Sequence, residues 1–261
     1  MSEKNANAHI RVRNLTMMYG DKLIQKDLNF DVNRNDIFII MGGSGCGKST
    51  LLKHMIGLYQ PSDGGIFVND ESLWGVSAQQ RQQMMQHFGV SYQAGALVSS
   101  LTLTENVGMP LELYTKLLPK EVAELARLKL SMVGLAGFGD YYPSEISGGM
   151  LKRAALARAI ALDPDILFFD EPSAGLDPIS ARLLDDLILE LSASMKATIV
   201  IVTHELASIF AIGTNSVFLD ANTNTMLATG NPNELLKNCD DEKVQLFLRR
   251  GEISKGAIAN V

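Results

Sequence analysis

Apolar and polar positions along this chain alternate between a two-residue period and a helical one. Ile10 and Val12, then Leu28, Phe30 and Val32, are separated by polar residues. That alternation predicts half-buried strands forming a small antiparallel sheet beside a larger core. The unbroken apolar run Ile37-Phe38-Ile39-Ile40-Met41, rich in β-branched residues, predicts a buried parallel strand, and Leu51, Leu52, Met55 and Ile56 then recur at helical spacing. Pro61-Ser62-Asp63-Gly64-Gly65 reads as a turn before the short strand Ile66-Phe67-Val68. Residues 79–86 suggest a solvated, glutamine-rich helix, and Val90-Ser91-Tyr92 a strand ending at Gln93. From Leu101 to Leu135 the period is helical. Val122, Leu125, Leu128, Met132 and Leu135 are assigned to one face, with Lys120, Glu121, Glu124, Arg127 and Lys129 elsewhere. This segment is expected to be a helical insertion between core strands. An alanine-rich helix over Ala154, Ala155, Ala157, Ala159 and Ala161 follows, then the strand Ile166-Leu167-Phe168-Phe169. Next come a helix through Leu183, Leu184, Leu187, Ile188 and Leu191, a strand at residues 198–203, a hairpin at residues 217–228 and two short helices. Strands alternating with helices give an α/β fold.

Candidate chemistry sits at the ends of the apolar runs. Gly42-Gly43-Ser44-Gly45-Cys46-Gly47-Lys48-Ser49-Thr50 fits the phosphate-loop pattern and lies between a strand and a helix, as that pattern requires. Glycines let backbone N–H groups turn toward phosphate oxygens, and the helix start adds positive partial charge. Lys48 would reach the β- and γ-phosphates and Ser49 would ligate Mg²⁺. Asp170-Glu171 closes a buried strand, an edge where α/β sheets hold ligands. Asp170 is the candidate Mg²⁺ group and Glu171 the base for an attacking water. Ser147 before Gly148-Gly149 reads as a helix cap and second anion site, although the same residues also suit an ordinary loop. Three further residues stay open on this basis. Tyr19 stacks on a base or simply packs, Gln93 matters only if it faces phosphate, and His204, after a strand, is structural or a γ-phosphate partner.

Bulk properties narrow the class. The chain has 261 residues, enough for a large core and between one and two domains in length. A net charge of −6 argues against nucleic acid as a partner. No run of 18 apolar residues occurs, so no membrane span is expected. Cys46 and Cys239 show no pairing or metal-ligand spacing, which suits a reducing compartment. Residues 1–9 are polar, carry no secretory pattern and are expected to be a loose tail, as are residues 249–261.

Six motifs in this order resemble the ATP-binding subunits of ABC transporters, over residues 10–248. They are the phosphate loop, Gln93, Ser147-Gly148-Gly149, residues 166–171, residues 174–177 and His204. The resemblance implies an ABC ATPase fold with a mixed core sheet, an antiparallel β subdomain and a helical subdomain at about residues 94–160. It implies ATP and Mg²⁺ as cofactors. Tyr19 would stack on adenine, Gln93 sense Mg²⁺ and the γ-phosphate, Ser147 and Gly149 cap the γ-phosphate held by a second copy, Asp177 bridge the dimer and His204 act as the switch. Tyr92-Gln93-Ala94-Gly95-Ala96-Leu97, Glu105-Asn106-Val107 and Met150, where most ABC subunits carry glutamine, look like the branch that works with MCE proteins, as in the Mla phospholipid systems of Gram-negative bacteria. Implied partners are an integral-membrane permease on the cytoplasmic face of the inner membrane, a periplasmic MCE protein and a small accessory cytoplasmic subunit. The alternatives are a soluble ABC ATPase without a transporter, such as an iron–sulfur assembly ATPase, or a transporter ATPase for another substrate.

Overall fold

The alternation at residues 10–12 and 28–32 is the visible part of two strands of 12 residues each, β1 (Ala8–Tyr19) and β2 (Lys22–Asn33). The computed structural model describes residues 7–249. They form two units: one takes the chain up to Ser77 and again from Val200 onward, the other is Ala78–Ile199. In the first unit β1 and β2 pair antiparallel, with Ile10 opposite Val32 and Val12 opposite Phe30. Strict alternation then breaks twice. Asn14 and Asp27 take left-handed φ values of 47° and 53°, and each marks a bulge that turns the following residues to the other face. Leu15 and Met17 are therefore buried on β1, and Gln25 rather than Lys26 faces inward on β2. β3 (Ile37–Gly42) is buried at every position, as its apolar run requires. The rings of Phe30 and Phe38 stack at 5.3 Å. After β3 come the phosphate-loop segment and α1 (Lys48–Met55), which buries Leu51, Leu52, His54 and Met55. β4 (Asp63–Val68) begins within the expected turn and pairs antiparallel with β1, and β5 (Glu71–Ser72) adds to its far edge.

The second unit opens with α2 (Ala78–Met85), which buries nothing, and β6 (Phe88–Ser91). α3 (Leu103–Tyr114) starts on a capping box between Thr102 and Glu105, and α4 (Pro119–Met132) follows. The face assigned to α4 from the sequence is only partly right: Val122 and Leu135 are buried, but the stripe between them is displaced. Val122, Ala126, Lys129 and Leu130 are inward, while Leu128 is 55% exposed and Met132 also faces out. Spacings of four, three and one follow the 3.6-residue period; a march of three residues drifts off the stripe. Lys129 lies inside because its stem is apolar and its ammonium pairs with Asp163. A 3₁₀ turn (Pro143–Glu145) leads to α5 (Gly148–Ala159), whose alanines are buried. α5 lies close over β6: a Cβ added at Gly89 would be 2.2 Å from the carbonyl oxygen of Ala159. β7 (Ile166–Asp170) runs parallel to β6, and α6 (Pro178–Met195) buries Leu184, Ile188 and Leu191.

The boundary between units falls within β8 (Thr198–Val202). Back in the first unit lie α7 (Leu206–Ile212), absent from the sequence-based expectation, β9 (Asn215–Asp220) and β10 (Thr225–Thr229). β9 runs parallel to β3 and antiparallel to β10, so the sheet is mixed. α8 (Pro232–Asn238) and α9 (Glu242–Leu248) complete the unit, with Phe247 edge-on to Phe218 at 5.2 Å. Of the expected tails, Ala8 and His9 belong to β1; residues 1–6 and 250–261 lie outside the described residues. The expected helical insertion at residues 94–160 lies within the second unit. Among the described residues no helix is long and apolar enough to cross a membrane.

Candidate functional site

The first unit carries the cradle. β3 ends at Gly42, whose φ of 145° and closeness to β9 exclude a side chain: a Cβ there would lie 2.3 Å from the carbonyl oxygen of Leu219. Gly47, at φ 94°, is equally restricted, since its Cβ would meet Ile24 Cγ2 at 2.6 Å. Between them Gly43, Ser44 and Gly45 are exposed and Cys46 is buried. Burial pushes the Cys46 thiol up from its ordinary pKa, so the group is neutral and packs. Lys48 Nζ donates to the carbonyl oxygens of Gly42 at 3.0 Å and Gly43 at 2.9 Å, which folds its charge over the loop. α1 starts at Lys48 with no side-chain cap and no acid in its first turn, so the positive end of its dipole is left for an anion, with Ser49 and Thr50 beside it. The β1–β2 hairpin packs on this loop through Ile24, Gln25 and Met17, all close to Gly47. At the hairpin end Tyr19 is 75% exposed, an aromatic face open to solvent two residues beyond Met17. Thr203 N–H donates to the Ile40 oxygen at 3.4 Å, which brings the following residue, exposed His204, to the carboxyl edge of β3.

The second unit carries the acids and a helix start. Asp170 is the last residue of β7, and buried Glu171 follows with a left-handed φ of 49°. Burial, with the charge of Asp170 adding to it, pushes the Tyr92 hydroxyl up, so it stays protonated beside that carboxylate. Gln93 is exposed, and its backbone oxygen accepts from Lys152 of α5. The next turn is left-handed at Gly95 and Ala96. Arg158, also from α5, donates to the oxygens of Ala96 at 2.7 Å and Gly95 at 2.8 Å. Burial draws the Lys152 ammonium below its ordinary pKa, while the charge of Glu171 works in the opposite direction. Ser147 caps α5 as expected, accepting from the N–H of Met150 at 3.3 Å. Asp177 caps α6, accepting from Ile179 and Ser180, each at 3.0 Å. The hydrogen bonds from Ser180 hold its carboxyl below the ordinary range. Ser147, Gly149, Leu176 and Ser180 share the wall of a cavity of about 580 Å³, which joins the Ser147 motif to the turn at residues 174–177.

Three contributors escaped the sequence reading: Gln25 beneath the cradle, and Lys152 and Arg158 behind Gln93. A charged residue on an alanine-rich helix was the available signal for the last two. Among the described residues no group of three or more His, Cys, Asp or Glu could hold a metal alone. Taken singly, the Ser49 hydroxyl of the first unit and the Asp170 carboxylate of the second are oxygen donors of the kind Mg²⁺ takes, an ion that keeps waters and phosphate oxygens in its shell. The two restricted glycines, the lysine over the loop and the uncapped helix start fit a nucleotide phosphate chain.

A family model described as "ABC transporter" matches residues 25–174. The probable ribonucleotide transport ATP-binding protein mkl of Mycobacterium leprae is 38% identical over 239 residues, 92% of this chain and 68% of that protein. The chain thus spans about two thirds of the length of the mycobacterial relatives. The intermembrane phospholipid transport system ATP-binding protein MlaF of Haemophilus influenzae is 37% identical over 91% of this chain and 89% of that protein. MlaF of Escherichia coli K12 is 35% identical over 95% of this chain and 91% of that one. Among solved structures, cbiO1 of Clostridium perfringens, part of an ABC transporter complex, matches with a TM-score of 0.81 at 25% identity over 97% of this chain and 99% of that one. A dimeric post-hydrolysis state of the ATP-binding cassette MJ0796, bound to ADP and Pi, matches with a TM-score of 0.77 at 26% identity over 85% of this chain and 98% of that one.

Proposed function

We propose that this chain, which belongs to the ABC transporter family of ATP-hydrolysing subunits, powers the movement of phospholipid between membranes. The observation that carries the cargo is near end-to-end similarity to the two MlaF proteins, which are named as ATP-binding proteins of intermembrane phospholipid transport systems. The mycobacterial relatives, at 38% identity, favour a second cargo, ribonucleotides, but this chain spans only about two thirds of them.

In this reading the backbone at residues 42–50 and Lys48 hold the phosphates, and Tyr19 holds the adenine face. Mg²⁺, when bound, would neutralise phosphate charge, with Ser49, Gln93 and Asp170 serving it. Glu171 takes the proton of the attacking water, and His204 orients the terminal phosphate. Ser147, Gly148 and Gly149 of a second copy cap that phosphate, and Asp177 steadies the junction between copies. Two chains therefore enclose two nucleotides, and turnover reopens them. The Gln93 loop and the helical segment at residues 94–160, within the domain at residues 10–248, pass that motion to a permease on the cytoplasmic face of the inner membrane. An MCE protein and a small accessory subunit complete the assembly.

The test is purification of the chain from its native membrane with its companions, then assay of the assembly in lipid vesicles. ATP-dependent phospholipid transfer that stops in Glu171→Gln supports this reading. ATP-dependent ribonucleotide uptake without lipid transfer would replace the cargo, and isolation without any permease would favour a soluble ATPase.

A further inference from the structure

Beneath the cradle lies a residue that packing alone does not account for. The Gln25 side chain is 0% exposed. Its Nε2 donates both hydrogens, to the carbonyl oxygen of Cys46 at 2.7 Å and to that of Asp220 at 3.0 Å, while its Oε1 is buried without a hydrogen-bond partner. An apolar side chain of the same size would remove the unpartnered Oε1, but it would also withdraw both donors from the Cys46 and Asp220 oxygens. The amide is therefore retained for its donors, since a buried unpartnered acceptor is costly.

The bond to Cys46 acts on the next residue. A peptide unit is planar and trans, so its C=O and N–H point in opposite directions. Anchoring the Cys46 oxygen toward β2 turns the Gly47 N–H away from β2. At Gly47 the backbone is left-handed and passes so close to β2 that a Cβ would meet Ile24 Cγ2 at 2.6 Å and Gln25 Cγ at 3.6 Å, so only glycine fits beneath the loop. The second bond ties this anchor to the end of β9. There the Asp220 carboxylate accepts from Thr223 N–H and Oγ1, both at 2.9 Å, and from Lys243 of α9 at 2.8 Å.

We propose that Gln25 is a positioning residue for ATP: by holding the Cys46 carbonyl it aims the Gly47 N–H at the phosphates and fixes the phosphate loop in its binding shape before nucleotide arrives. The proposal rests on the reading of residues 42–50 as the nucleotide cradle. Pre-formed donors do not have to be reorganised when the anion binds, which favours affinity.

The test compares Gln25→Met, which keeps the side-chain length and removes both donors, with Lys48→Ala and the unaltered chain. Titration calorimetry with MgADP and steady-state ATP hydrolysis are the readouts. One buried hydrogen bond corresponds to about tenfold, so Gln25→Met should weaken MgADP and raise KM by about tenfold, with kcat changed less. A role in stability alone would lower the unfolding temperature and leave Kd and KM of the folded protein unchanged. If Lys48→Ala loses MgADP while Gln25→Met binds as the unaltered chain does, the positioning role is overturned and the cradle stands. If Lys48→Ala also binds normally, both are overturned. A measurement on the unaltered chain covers a variant that does not fold. Hydrogen exchange of the Gln25 side-chain amide, followed by NMR, should slow when MgADP is added, because coupling between the anchor and the phosphate seat is reciprocal. Unchanged exchange overturns the proposal.

Discussion

Lys48 and Glu171 show how much a single side chain is asked to do. The Lys48 ammonium lies on the Gly42 and Gly43 oxygens, so its charge is directed over the loop. Lys48→Ala should lower nucleotide affinity by about tenfold or more, since a charge-assisted contact to phosphate is among the stronger hydrogen bonds; a fluorescent-nucleotide titration reads this directly. Glu171 follows a strand end with left-handed backbone, which directs its side chain differently from that of Asp170. Glu171→Gln keeps size and polarity but removes the base, so phosphate release should fall by about 10²-fold or more while ATP still binds. Near-normal hydrolysis in that variant removes Glu171 from the role.

Two helices carry testable consequences of how they are buried. On α4 the core stripe is Val122, Ala126 and Leu130, not the leucine series that the sequence suggests. Leu130→Ala should cost about 2–4 kcal/mol by leaving a cavity, whereas Leu128→Ala should stay within about 0.5 kcal/mol. Urea unfolding of both variants decides which face is inside. On α1 the His54 ring is buried, its Nδ1 lies 2.8 Å from the Thr50 oxygen, and burial pulls its pKa below the ordinary 6.5. The unfolded chain takes up a proton near 6.5 that the folded chain refuses until lower pH. Stability should therefore fall as pH drops below about 6.5, and the fall should be smaller in His54→Gln. Thermal unfolding of both chains at pH 7.5 and pH 5.5 checks the sign.

At the scale of the assembled molecule, the motifs divide between a cradle with a helix behind it and a capped helix start with acids. The proposed role of Ser147 calls for a second copy, and MJ0796, a solved structure similar to this chain, is a dimer bound to ADP and Pi. Light scattering of Glu171→Gln with ATP should report twice the mass of the chain alone, returning to the single mass when Lys48→Ala is added. A single mass in all conditions would sink the shared-site reading.

The sequence by itself placed the glycine-rich segment between β3 and α1, Asp170-Glu171 at the end of β7, the Ser147 cap and most of the strand-and-helix order, α7 excepted, because each is a local pattern. Glycine freedom, apolar runs and cap chemistry act within a few residues of chain. It missed what depends on register. The bulges at Asn14 and Asp27 shift the inward face of β1 and β2, so Gln25 reads as a surface residue until the strands are paired. The same holds for α4, where helix phase decides whether Leu128 or Lys129 is buried, and for Lys152 and Arg158, whose partners lie about 60 residues away along the chain. Tertiary structure decided these because a side chain's direction depends on the phase accumulated along its element, and its partner on what that element packs against.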